Sequence, residues 1–422
     1  MRKLLPLVLT AVGLAGCNSG DDERQEQSRP SGDGRVQAGE IRASGLREHL
    51  RALQRIAESN GGNRAAGTPG DEASVEYVAS RLRAAGWQVR LKPVRFPYFD
   101  ERSPPRLDDL RAGEDFKTLS YSGSGRVEGR VRRLGLGCRR RDFRSLEEGE
   151  VAVVARGVCF FRDKARNAEA AGAATVLVVD GESDEPPSAT LGAPGIEIPV
   201  LSIGAAAGRS LEARVQVEVD AVSERRATTN VIAETAGADD GPVVMAGGHL
   251  DSVPAGPGIN DNGSGVAALL ELAEALGGRA PGARVRLAFW RAEELGLIGS
   301  RRYVGGLSGA ERERIAAYLN VDVVGSPEPT RGVYSDADPA IERLLRRLVG
   351  RRAEEERASG RSDHAPFERA GIPVGGLFTG AGRPHDPCYH RACDDIDNVN
   401  MPVLVQMARA TAEAVERLSE RD

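Results

Sequence analysis

Two histidines and a set of carboxylates stand at the ends of apolar, strand-like runs in the second half of the chain. His249 and Asp251 follow "VVMAGG", Glu293 and Glu294 follow "RLAFWRA", Asp322 sits in "YLNVDVVG", and His390 lies shortly after "GGLFTGAG". Carboxylates gathered at neighbouring strand ends repel one another unless something compensates them. A bound cation removes that repulsion, and imidazoles mixed with carboxylates suit zinc, whereas calcium would take oxygen alone. The donors exceed the four positions of one tetrahedral ion, which implies two ions about 3.5–4 Å apart with one carboxylate shared. Asp261, in the glycine-flanked loop "GINDNGSG" that opens a helical run, suits the shared position.

His249 and Asp251 are two apart on an extended segment and so fall on one side of it. Asp251 is therefore expected to accept the second ring N–H of His249 and fix its tautomer. Glu293 and Glu294 are neighbours and cannot both address one ion, so one ligates and the other takes a proton from water. His364 in "SDHAPF" and His385 before Asp386 stay outside the ligand set, which five positions complete. His49, on the face of the first helical segment, reads as packing or surface.

The elements that must position these residues follow from periodicity. After residue 226 strand and helix patterns alternate: "NVIAET", "PVVMAGGH", "GSGVAALLELAEAL", "RVRLAFW", "AAYLNVDVVG", "AIERLLRRLVG", "IPVGGLF" and "MPVLVQMARATAEAVERL". Such alternation predicts an α/β fold, a mostly parallel central sheet between two helical layers, with ligands beyond the carboxyl ends of the strands. Residues 41–100 add two amphipathic helices, with Leu46, Leu50, Leu53 and Ile56 on one face of the first, and a strand "WQVRLKPV". Residues 101–225 change texture and contain a strand, loop, helix and strand in "GEVAVVARGVCFFRDKARNAEAAGAATVLVVD", the helix spanning roughly Lys164 to Ala171. This divides the chain into one domain over 41–100 and 226–422 with a small α/β insertion over 101–225.

A net charge of -5 over 422 residues offers no basic stripe, which excludes nucleic acid as a partner and leaves small molecules or peptides. Residues 1–17, "MRKLLPLVLTAVGLAGC", have a basic start and an apolar stretch, as an export signal does, and the stretch is too short for a spanning helix of about 20 residues. Residues 18–40 are polar and lack apolar periodicity, a flexible tether. Beyond Cys17 an even set of cysteines in an oxidising compartment suggests two disulfides, and spacing pairs Cys138 with Cys159 and Cys388 with Cys393. Metal binding by these thiols is the alternative.

Three resemblances add to this reading. The N-terminus resembles a bacterial lipobox, which implies that Cys17 is acylated and that a lipid anchor is the chain's membrane contact at the cell envelope. Arg156, Gly157, Cys159, Phe161, Lys164 and "AGAA" at 171–174 resemble the protease-associated domain. "GGHLDSVPAGPGINDNGSG", "FWRAEELGLIGSRRYV", "YLNVDVVGSP", "GRSDHAPFERAGIPVGGLFTGA" and "HDPCYHRACDDIDNVN" resemble the signature blocks of the secreted di-zinc aminopeptidases, relatives of glutamate carboxypeptidase and the transferrin receptor. That resemblance implies a three-layer zinc exopeptidase with two Zn2+ ions per chain. It also implies that His249 and Asp322 ligate one ion, Glu294 and His390 the other, and Asp261 both. Glu293 becomes the general base, Tyr389 the oxyanion donor, and Arg361 a candidate for the substrate site. Hydrolysis of the N-terminal bond of peptides is the expected activity. A carboxypeptidase, a glutaminyl cyclase or a receptor-like binding protein on the same scaffold are the competing readings.

Overall fold

Helix α1 (Ala43–Ser59) forms on the leucines read above: Leu46, Leu50 and Leu53 recur at helical spacing and are fully buried, while Ile56 stays half-buried. Each such leucine contributes about 1.5–3 kcal/mol of gross burial energy. Helix α2 (Pro69–Ala84) starts at Thr68, whose side chain accepts the Asp71 N–H, with Pro69 in the first turn. It is left through Gly86 at φ +84, a conformation that favours glycine. The computed structural model describes residues 40–236, 241–335, 337–357 and 360–420. The expected export signal, Cys17 and the tether up to residue 39 lie outside the described residues. Among those described, no helix is long and apolar enough to cross a membrane.

Strand β1 (Gln88–Leu107) follows α2 and carries the chain into the insertion, which comprises β2 (Phe116–Thr118), β3 (Gly125–Arg133), β4 (Val151–Ala155), α3 (Phe161–Glu169), β5 (Thr175–Val179), β6 (Val200–Ile203) and α4 (Ala205–Ser210). Strand β7 (Arg214–Glu234) returns antiparallel to β1 along nearly its whole length. The positions 101 and 225, where composition shifts, therefore fall inside two paired strands. A long two-stranded ribbon joins the two sheets. The prolines at 93, 97, 104 and 105 sit in β1, whose pairing is with β7 alone, and an edge strand tolerates them. Helix α3 begins at Phe161 and ends at Glu169, a little earlier than its pattern suggests. In the inserted sheet β3, β4, β5 and β6 run parallel, with β2 antiparallel on β6.

The remainder of the main domain is β8 (Val243–His249), α5 (Gly263–Leu276), β9 (Arg284–Trp290), α6 (Ile298–Gly305), α7 (Gly309–Arg314), β10 (Ile315–Val321), β11 (Gly332–Tyr334), α8 (Pro339–Val349), β12 (Glu354–Glu356), α9 (His364–Arg369), β13 (Val374–Phe378) and α10 (Met401–Ser419). Its sheet has the order β12-β11-β13-β10-β8-β9-β7, and β13, β10, β8 and β9 are mutually parallel. These central strands bury both faces. Val244 and Ala246 of β8 join the core formed with α1, α2, α5, α8 and α10, while Val243 and Met245 join a second core with Val304 of α6 and Phe367 of α9. That alternation, apolar on both sides, is what a parallel sheet covered by two helical layers requires. It also aligns the carboxyl ends of four strands on one rim.

Candidate metal centre

His249 is the last residue of β8 and is buried. Its Nδ1 lies 3.0 Å from the carbonyl oxygen of Asp251, which can only accept, so the ring proton sits on Nδ1. The Nε2 then faces Asp261 Oδ1 at 3.0 Å and Asp322 Oδ1 at 3.2 Å. Asp322 directly follows β10, and its other oxygen accepts the Ser362 hydroxyl at 2.6 Å. Across Asp261, Oδ2 lies 3.1 Å from His390 Nε2, which is also 3.1 Å from Glu294 Oε2. The donors thus fall into two groups, His249/Asp261/Asp322 and Asp261/Glu294/His390, each with its ligand atoms within 4.8 Å of one another and with Asp261 in both. Glu293 forms a further group with His249 and Glu294.

The electrostatics of this rim call for positive charge. Burial, reinforced by Asp261, pushes Glu294 up to about 7, and burial with Asp363, Asp322 and Glu294 around it holds Glu293 well above the usual carboxylate range despite His249. Burial likewise lifts Asp363 to about 7, and its position beside Asp322 and Asp251 adds to that lift. The histidines respond in the opposite sense: hydrogen bonds donated to Asp261 and Glu294 raise His390 to about 10. Burial alone would lower His249, but Asp322, Glu293 and Asp261 overturn this and raise it well above its ordinary value. Glu294 Oε1 is buried with no hydrogen-bond partner. Nitrogen and oxygen donors, excess negative charge and an orphaned carboxylate oxygen together fit transition-metal dications of the zinc class.

Asp251 departs from expectation. Its carboxylate stands 3.9 Å from His249 Nδ1 and instead accepts the backbone N–H groups of Glu293 and Glu294, each at 3.3 Å. The strand ends at His249, so two-residue alternation does not extend to Asp251. Its carbonyl fixes the imidazole and its carboxylate fixes the Glu293–Glu294 backbone, which makes it a positioning residue for three others. Tyr389 is half-buried and stacks on the His390 ring at 3.9 Å. Burial and the surrounding carboxylates raise its hydroxyl above the ordinary range, keeping it a donor. The Cys388–Cys393 disulfide closes the short loop holding both residues, and Cys138–Cys159 ties the insertion. Arg361 is exposed and engaged with Glu356 at 2.8 Å, and these contacts do not bring it to the donor cluster. His385 is taken by the Glu328 carbonyl and His364 packs against Tyr334.

Several residues that hold the centre gave no signal in the sequence. Arg64, fully buried between α1 and α2, donates to the carbonyls of Pro257 at 2.9 Å and Gly258 at 2.6 Å and to that of Leu250. One guanidinium thereby gathers the loop that runs from His249 to Asp261. On the far side Asp394 accepts the N–H groups of Asn260 at 2.8 Å and Asp261 at 3.0 Å, and so ties Asp261 to the His390 loop. Ala292, Val323 and His390 adopt φ of +55, +48 and +60. Left-handed backbone costs on the order of 1 kcal/mol at each, and all three adjoin or are donors.

The model for peptidase family M28 matches residues 230–415, and the PA domain model matches residues 127–211. The chain is 38% identical to an aminopeptidase from Pseudomonas aeruginosa over 90% of this chain and 81% of that protein. It is 35% identical to a probable lipoprotein aminopeptidase from Mycobacterium tuberculosis over 98% of this chain and 94% of the other. Among solved structures, a zinc aminopeptidase from Bacillus subtilis is similar at a TM-score of 0.63 and 26% identity, covering 90% of this chain and 96% of that one. An aminopeptidase from Aneurinibacillus sp. strain AM-1 is similar at a TM-score of 0.65 and 27% identity, covering 91% and 95%.

Proposed function

The chain belongs to peptidase family M28, and on that premise we propose a two-ion hydrolytic centre in which Asp261 is shared, His249 and Asp322 complete one ion and Glu294 and His390 the other. The protein is a zinc-dependent exopeptidase, an aminopeptidase. The observation that supports the two-ion reading is the pair of donor groups interlocked through one aspartate. When bound, the ions supply Lewis acidity, which polarises a carbonyl and acidifies water. The chain's own residues do the rest. Glu293 accepts the proton of the attacking water and returns it to the leaving amine nitrogen. Tyr389 donates its hydroxyl to the oxygen that gains charge as the carbonyl carbon becomes tetrahedral. Asp251 keeps the Glu293 backbone in place through its N–H.

Recognition of the N-terminus follows from the same charge. A free α-ammonium is attracted to the carboxylates of Glu293 and Asp322, whereas an acetylated amide is neutral. Hydrolysis of leucyl peptides, and its loss on N-acetylation, tests this, and equal rates on both would overturn it. Metal content distinguishes the roles within the site: Glu293→Gln should keep the ions and lose turnover. The reading extends to location, with Cys17 acylated and the enzyme tethered at the cell envelope. Replacing Cys17 with Ser should release it from the membrane fraction, and retention there would refute the anchor.

A further inference from the structure

We propose a second metal site, separate from the catalytic cluster, in which His49, Glu271 and Glu274 hold one divalent ion of the zinc class between α1 and α5. His49 is fully buried and Glu271 is 2% exposed. His49 Nδ1 lies 2.7 Å from the Tyr77 hydroxyl oxygen. With Tyr77 accepting that N–H, the Nε2 lone pair faces Glu271 Oε1 at 3.9 Å and Glu274 Oε1 at 3.5 Å. Neither His49 Nε2 nor Glu271 Oε1 has a hydrogen-bond partner. These separations are too long for hydrogen bonds. They suit two ligands of one ion: at bond lengths of about 2.0–2.2 Å, donors at a tetrahedral angle stand roughly 3.4 Å apart, and farther as the angle opens. All three ligand atoms lie within 4.8 Å of one another.

Local chemistry agrees. Burial, helped by Arg81, lowers His49 to about 3, so the imidazole stays neutral and keeps its lone pair. Glu271 and Glu274 are three apart on α5 and share a face. A Cβ on Gly45 would lie 1.6 Å from Glu271 Oε1, so a glycine there is what lets the carboxylate lie against α1. Arg81 sits on the solvent side, shared by Glu48 at 2.9 Å and Glu274 at 2.5 Å, and the Arg42 N–H occupies the second Glu271 oxygen at 3.0 Å. The carboxylates of Glu48, Glu271 and Glu274 against the guanidiniums of Arg81 and Arg42 leave one negative charge beside the neutral imidazole, a sign that favours a bound cation. The role is structural. Helix α5 begins two residues after Asp261, and Glu271 lies roughly 12 Å along it at 1.5 Å per residue, so an ion here would pin the helix that follows the proposed shared ligand.

The test counts zinc per chain, after loading and gel filtration, in the full-length protein and in His49→Gln and Glu271→Gln. Each variant should bind one zinc fewer than the wild type while kcat on a leucyl peptide stays within about twofold. An unchanged count in both variants would overturn the site. Should neither variant fold, a zinc-edge anomalous map of the wild type decides: a peak within bonding distance of His49 Nε2 is expected, and its absence there refutes the proposal. Failure of the catalytic reading would show separately, at His249 and His390 and in turnover.

Discussion

Both sheets of the molecule place ionisable residues at the carboxyl ends of parallel strands, yet only one of these rims is built for chemistry. In the insertion, Arg156 follows β4 and Asp180 follows β5, and the two form a close ion pair. The Glu182 N–H and Arg156 hold Asp180 below its usual range, so its charge is fully compensated. On the main rim His249 ends β8 while Glu293, Glu294 and Asp322 follow β9 and β10, and among the described residues no lysine or arginine forms a salt bridge with their side chains. Burial and mutual repulsion instead lift Glu294 to about 7. The topology is alike in both places, and the difference lies in charge left unbalanced inside the protein. A dication can supply what Arg156 supplies in the insertion.

Five substitutions sharpen that contrast. Glu293→Gln is expected to lower kcat by about 10²–10⁴-fold while zinc content stays at the wild-type level, as elemental analysis alongside steady-state rates would show. Tyr389→Phe should cost about 10²–10³-fold in kcat with KM little changed, which places its contribution after substrate binding. Arg64→Lys and Asp251→Asn remove supports rather than donors, so each should weaken zinc affinity by about 10–100-fold in competition with a chelator. Asp180→Asn is the control on the other rim. Its partner Arg156 is 50% exposed, so unfolding by urea should shift by about 1 kcal/mol or less, with kcat and zinc content unmoved.

The strand–helix alternation of the main domain and the placement of the rim residues are legible because apolar runs mark where buried parallel strands end, and His249, Glu293 and Asp322 end or follow such runs, whereas the order of the strands in the sheet is not. The pairing of Cys388 with Cys393 was legible from spacing alone. Arg64 was not. Its partners are backbone carbonyls far away in sequence, and a carbonyl carries no sequence identity. Asp394 works the same way through the N–H groups of Asn260 and Asp261. Asp251 was assigned to the imidazole because strand alternation was carried two residues past the point where β8 stops. His49 read as packing, and it is buried; what the pattern of α1 could not reveal is that Glu271 and Glu274 of α5 lie opposite it.

The most direct measurement of the catalytic centre is a zinc-edge anomalous difference map from crystals of the loaded enzyme. Two peaks about 3.5–4 Å apart are expected on either side of Asp261, one contacted by His249 and Asp322 and the other by Glu294 and His390. A single peak, or none, in fully active crystals would contradict the two-ion centre.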